Sequence, residues 1–143
     1  MKIIFTNNPY VIKHHDEISR FLDTDVNGVF VSVRDVVHQG ARLITHPLSG
    51  SIKPNESPYK SIMVDLAKGS LDFKSLQIVE DAIKTLEKLP KNNRNFTEKI
   101  LDDFKVIDLD LINSACDALS YVPGNCSGSY LPKPLVSVFT TGC

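Results

Sequence analysis

Residues 44–61, ITHPLSGSIKPNESPYKS, crowd a histidine, serines, lysines and a glutamate between two apolar runs. With an ordinary pKa of about 6.5, His46 can serve as an acid or base at working pH. The competing reading is a histidine hydrogen-bonded to neighbouring backbone. Ser49 and Ser51 flank Gly50, which is free to take positive φ, and the N–H groups of such a turn can form an anion-binding concavity. Lys53 and Lys60 would add positive charge, Glu56 is a general-base candidate, and Asn55 and Tyr59 complete the candidate set. The same composition also describes a solvated turn, and neither GxxxxGK[ST] nor GxGxxG is present. A second polar turn, Thr6-Asn7-Asn8, follows the first apolar run. Its asparagines can meet a ligand amide or carboxylate through donor and acceptor groups, or can shape the turn.

Other candidates carry less. His14 and His15 are adjacent, so they splay apart on a helix or strand and make a poor metal pair. His38 falls near a helix end, where a cation is mildly favoured. The three cysteines, Cys116, Cys126 and Cys143, fit neither a disulfide framework nor a zinc spacing. Cys126 has no neighbouring histidine or lysine to activate it. A Ser–His–Asp triad has no G-x-S-x-G elbow to support it.

Periodicity indicates the elements that would position these residues. Residues 2–5 read as a strand, 18–22 as a weaker one, 42–45 as a third and 62–64 as a short buried one. Val26, Val29, Phe30, Val33, Val36 and Val37 form one helical stripe, with Asp25 as N-cap and Gly40 at the helix end. A second helix spans Asp72 to about Leu89, with Leu76, Val79, Ile83 and Leu86 on one face. A third opens on an Asn95–Glu98 capping box and carries Leu101, Phe104, Leu111, Ala115 and Leu119, with a break near Asp108 or Asp110. Residues 134–139 read as a late edge strand.

Strands alternating with helices indicate one α/β sandwich domain over 1–143, with a mostly parallel, Rossmann-like sheet flanked by helices. In such sheets ligands bind beyond the carboxyl ends of the strands. The Thr6–Asn8 turn and the His46–Lys60 loop leave those ends, and parallel neighbouring strands would bring them together.

A net charge of −1 leaves no electrostatic footprint for nucleic acid or an anionic membrane. No apolar run approaches the roughly 18 residues of a membrane helix. The start, MKIIFTNNP, is too short for a signal peptide's apolar region, so the expected location is cytoplasmic.

KIIFTNNP, VSVRDVVHQG and LITHPLSGSIKPNESPYKSI together resemble the GrdX-like proteins, small proteins encoded beside glycine, sarcosine and betaine reductase components of amino-acid-fermenting anaerobes. The resemblance covers roughly residues 1–120 and is strongest from Arg34 to Ile62; the tail from about residue 123 is unmatched. It implies an accessory or regulatory protein of that reductase system, with reductase components as partners, and carries over no catalytic residue. Cofactor use stays open. The residues alone support an alternative, a protein or enzyme holding a small anion or phosphate metabolite between the Asn7/Asn8 turn and the His46–Lys60 loop.

Overall fold

A computed structural model describes residues 1–50, 55–66, 70–90 and 95–120. Strands β1 (Lys2–Thr6) and β4 (Ser61–Asp65) lie side by side at the centre of the sheet. Both are short apolar runs, as strands covered on two faces require. Their antiparallel register sets Ile4 opposite Met63 and Phe5 opposite Ile62. Alternation then sends Ile4 and Met63 into one core, and Phe5, Ile62 and Val64 into the other. Strand β2 (Ser19–Phe21) runs parallel to β1 at one edge, and β3 (Arg42–Leu43) runs antiparallel to β4 at the other.

The β1–β2 crossover carries helix α1 (Pro9–His14), begun by Asn8 as N-cap with proline at its first turn. Helix α2 (Val26–His38) forms although valine is a poor helix former. Tertiary packing decides it: Val26, Val29, Phe30, Val33 and Val37 are all buried. Asp25 caps the helix by accepting from the Gly28 N–H at 2.8 Å. At its end Gly40, with φ 108°, donates to the Val37 carbonyl, and Ala41 donates to that of Val36. These are the two bonds of a Schellman motif, which glycine adopts without a Cβ penalty.

Helix α3 (Phe73–Lys88) packs Val79, Ala82 and Ile83 beside α2 on one sheet face. The Ser75 hydroxyl accepts from the Leu43 N–H at 3.0 Å and donates to Asp72 at 2.5 Å, tying that helix to β3. Helix α4 (Glu98–Ser120) covers the opposite face with α1, placing Leu109 and Ile112 against Ile4, Ile44 and Met63.

Helices on both faces bear out the sandwich, but the mostly parallel, Rossmann-like sheet is corrected. The order is β2-β1-β4-β3, mixed and mostly antiparallel. β3 ends and β4 begins at the same end of the sheet, so β4 runs backwards between β1 and β3. Two smaller corrections concern α4. Its cap is Thr97 rather than Asn95: the Thr97 hydroxyl accepts from Ile100 N–H and its carbonyl from Leu101 N–H. Nor does α4 break near Asp108 or Asp110; it is continuous. The third strand is regular only over Arg42–Leu43, although Ile44 and Thr45 N–H still reach the Met63 carbonyl. The expected strand at 134–139 lies outside the described residues.

Candidate functional site

The reversed β4 brings the two polar segments together. Thr6 ends β1 directly opposite Ser61, which begins β4, so the 44–60 loop arrives beside Asn7 and Asn8. Asn7 fastens it there. Its Oδ1 accepts from Lys60 N–H at 2.8 Å, and its Nδ2 donates to the carbonyls of Thr24 and Pro58, each at 2.9 Å. The Asn8 Oδ1 accepts from Tyr10 N–H, and its Nδ2 donates to the Lys105 carbonyl and to Asp108. Both asparagines therefore spend their amide groups on holding the protein together.

Asp108 is the centre of the arrangement. It sits on α4, is 6% exposed, and receives three donors. Ser61 N–H reaches Oδ1 at 3.1 Å, while the Ser61 hydroxyl and Asn8 Nδ2 reach Oδ2 at 2.6 and 3.1 Å. Because the Ser61 hydroxyl gives its proton to the carboxylate, the Thr6 hydroxyl, 2.7 Å away, must donate to Ser61. Thr6 in turn accepts from Asn8 N–H at 2.9 Å. The result is a directed chain from β1 through β4 into α4, each bond polarising the next. Burial pushes the Asp108 carboxyl above the usual carboxylate range, against the pull of its Ser61 and Asn8 donors and the Lys60 charge.

Lys60 and Asp108 line the same narrow cleft, with Val26, Phe104, Ile107 and Leu111 among its apolar walls. The Lys60 Nζ donates to the Ser49 carbonyl at 2.9 Å, its one hydrogen-bond partner among the described residues. Burial lowers the pKa of this amine, opposed by the Asp108 charge. A smaller recess adjoins the cleft, bounded by Ser49, Lys60, Ser61 and Asp108 together with Thr45 and Ile112.

Gly50 forms part of the cleft rim at φ 109°. A Cβ there would lie 2.9 Å from a terminal methyl of Leu111, which can rotate away, so the backbone conformation dominates. Gly50→Ala is expected to lower stability by about 1–2 kcal/mol, measured by urea unfolding.

His46 works within its own turn. Its Nδ1 accepts from Leu48 N–H at 3.0 Å, while its carbonyl accepts from the Ser49 N–H and hydroxyl. The Leu48 and Ser49 N–H groups are thus spent inside the turn rather than gathered into an anion-binding concavity. Burial, then the charge of Lys60, lowers the His46 pKa. Between its ordinary value of 6.5 and the lower folded value, the unfolded state holds a proton that the folded state lacks. Stability is therefore expected to fall as pH drops through that window, and His46→Gln should flatten the fall in denaturation curves taken across it.

Of the remaining candidates, Tyr59 lines the cleft, and its ring lies 5.6 Å from the Lys105 ammonium. Asn55 donates to the Pro90 carbonyl at 3.0 Å, away from the cleft, and Glu56 is exposed. Ser51, Lys53, Cys126 and Cys143 lie outside the described residues. His15 bonds Asn113 and His14 the Tyr10 carbonyl, so the pair does splay; His38 faces Glu80 at 3.8 Å. Burial, then Asp117, pushes the half-buried Cys116 thiol up, which makes it a poor nucleophile. Among the described residues no cluster of three or more His, Cys, Asp or Glu could hold a metal, and no helix is long and apolar enough to cross a membrane.

Sequence reasoning missed Asp108 and Ser61. The signal for Asp108 was present: Leu101, Asp108, Ile112 and Ala115 share one helical face, so a carboxylate interrupts an apolar stripe. Ser61 carried no such mark.

A family model described as GrdX-like protein matches residues 3–117. No curated protein and no solved structure matches the chain.

Proposed function

We propose, from the premise that this chain belongs to the GrdX-like family, that it is an accessory or regulatory protein of the glycine, sarcosine and betaine reductase system. The family match across most of the chain is the observation that carries this reading. The reading places the protein in the cytoplasm, with reductase components as its partners. Tagged protein purified from reductase-expressing cells is expected to bring those components with it. Their absence from repeated purifications would overturn the proposal.

A second reading has its own support in Lys60. An ammonium has three donors, and among the described residues the Lys60 Nζ has one partner, the Ser49 carbonyl. A small anion in the cleft would take the others. This narrows the candidate set to Ser49, Gly50, Tyr59 and Lys60, beside Asp108. Formate or inorganic phosphate at 100 times its Kd would add about 2.7 kcal/mol of stability. A thermal shift of that kind, abolished in Lys60→Met, is the expected result; no shift with either anion would sink this reading.

A further inference from the structure

We propose that the Lys60 side chain is a carbonyl-reactive amine, and that its cleft takes a small aldehyde or ketone as a reversible imine. The proposal goes beyond the anion reading of the same cleft: it takes the Lys60 amine in its neutral form, where that reading takes the ammonium.

Three features of the geometry carry it. First, Lys60 is partly buried and lines an open cleft, with Val26, Phe104, Ile107 and Leu111 among the other lining residues. Apolar walls disfavour the ammonium and favour the neutral amine, the form that attacks a carbonyl. The lowered pKa, caused by burial, agrees. Second, the one bond to the Ser49 carbonyl fixes the direction of the Nζ while consuming a single N–H. A neutral amine then keeps its lone pair and a second N–H. Third, no ion pair within 4.0 Å joins Lys60 to Asp108, although both line the cleft. A lysine locked to a carboxylate would be held as the cation. Here the Asp108 charge acts on the amine without holding the ammonium in contact.

The chemistry balances without a further reactant. The Lys60 lone pair forms the N–C bond as the carbonyl π pair moves to oxygen, which takes up a proton. The amine proton is lost, and the neutral carbinolamine results. Protonation of its hydroxyl by solvent lets water leave, and loss of the remaining N–H proton gives the imine. Amine and carbonyl compound enter; imine and one water leave. No electron is gained or lost, and hydrolysis reverses the reaction.

Reductive trapping tests it. The full chain is treated with propanal and sodium cyanoborohydride at neutral pH, and modified lysines are mapped by peptide mass spectrometry. Lys60 is expected to be alkylated severalfold faster than the exposed Lys84, Lys88 and Lys99. The preference should vanish when the reaction is run in denaturing urea, because the cleft creates it. Labelling of Lys60 no faster than the exposed lysines would overturn the proposal, as would a preference that survives unfolding. A thermal shift with formate or phosphate, lost in Lys60→Met, without preferential trapping would leave the anion reading standing and this one refuted.

Discussion

Asp108→Ala is expected to lower stability by about 3–5 kcal/mol, a large share of the 5–15 kcal/mol typical of a domain. The substitution removes the acceptor for Ser61 N–H, the Ser61 hydroxyl and Asn8 Nδ2. Asp108 is 6% exposed, so each orphaned donor costs about 1–3 kcal/mol, less where a neighbour or water from the cleft can meet it. The Ser61 hydroxyl can turn toward Thr6; its N–H cannot, because strand geometry fixes it. Asp108→Asn keeps the shape and an acceptor for Ser61 N–H, and should cost less. It separates charge from shape through pH. The folded Asp108 carboxyl titrates above its ordinary 3.8, so between that value and the higher folded one the folded state binds the extra proton. This contribution is complete below 3.8 and is lost as pH rises through the folded value. Urea unfolding of the wild type should show that loss, and Asp108→Asn should lack it. An Asp108→Ala protein within about 0.5 kcal/mol of wild type would show that the chain is not what joins α4 to the sheet.

Legibility followed the range of the interaction. The stripe from Val26 to Val37, its Asp25 cap and its Gly40 ending could be read from the sequence because each depends on residues within a few positions. The sheet could not be read in the same way. Ile62-Met63-Val64 looks the same whether the strand runs up or down, and its direction depends on which end of the sheet the 44–60 loop returns to. The meeting of the two polar segments was anticipated on the assumption of parallel neighbours; it happens because an antiparallel β4 begins where β1 ends. The candidate site was half legible for a related reason. Lys60 stood out as a charge in a loop, whereas Asp108 lies 48 positions along and was taken for a helix interruption. Its meaning depends on Asn8, Ser61 and Lys60, which the fold alone brings to it.

Val33→Asp is expected to abolish cooperative folding at neutral pH, and comparison with Asp108 shows why. Val33 is fully buried, in a core that includes Phe30, Val37, Val79 and Ala82. A carboxylate there must stay charged in an apolar core or take up a proton. Protonation at pH 7, against an ordinary pKa of about 3.9, costs about 4 kcal/mol at 1.36 kcal/mol per unit. The neutral carboxyl still lacks partners, at about 1–3 kcal/mol, and the lost valine packing adds about 1.5 kcal/mol. The sum of about 7 kcal/mol or more is comparable with the whole stability of a domain at the lower part of the usual 5–15 kcal/mol range. Asp108 is also buried yet tolerated, because α4 sets it against three donors and near Lys60. The Val33 face of α2 lies in an apolar core cluster that offers no such set of donors among its members. Val33→Ala, which keeps the site apolar, should lose only about 2 kcal/mol and retain a cooperative urea transition by circular dichroism. A folded, cooperative Val33→Asp protein at pH 7 would mean that α2 does not bury this face.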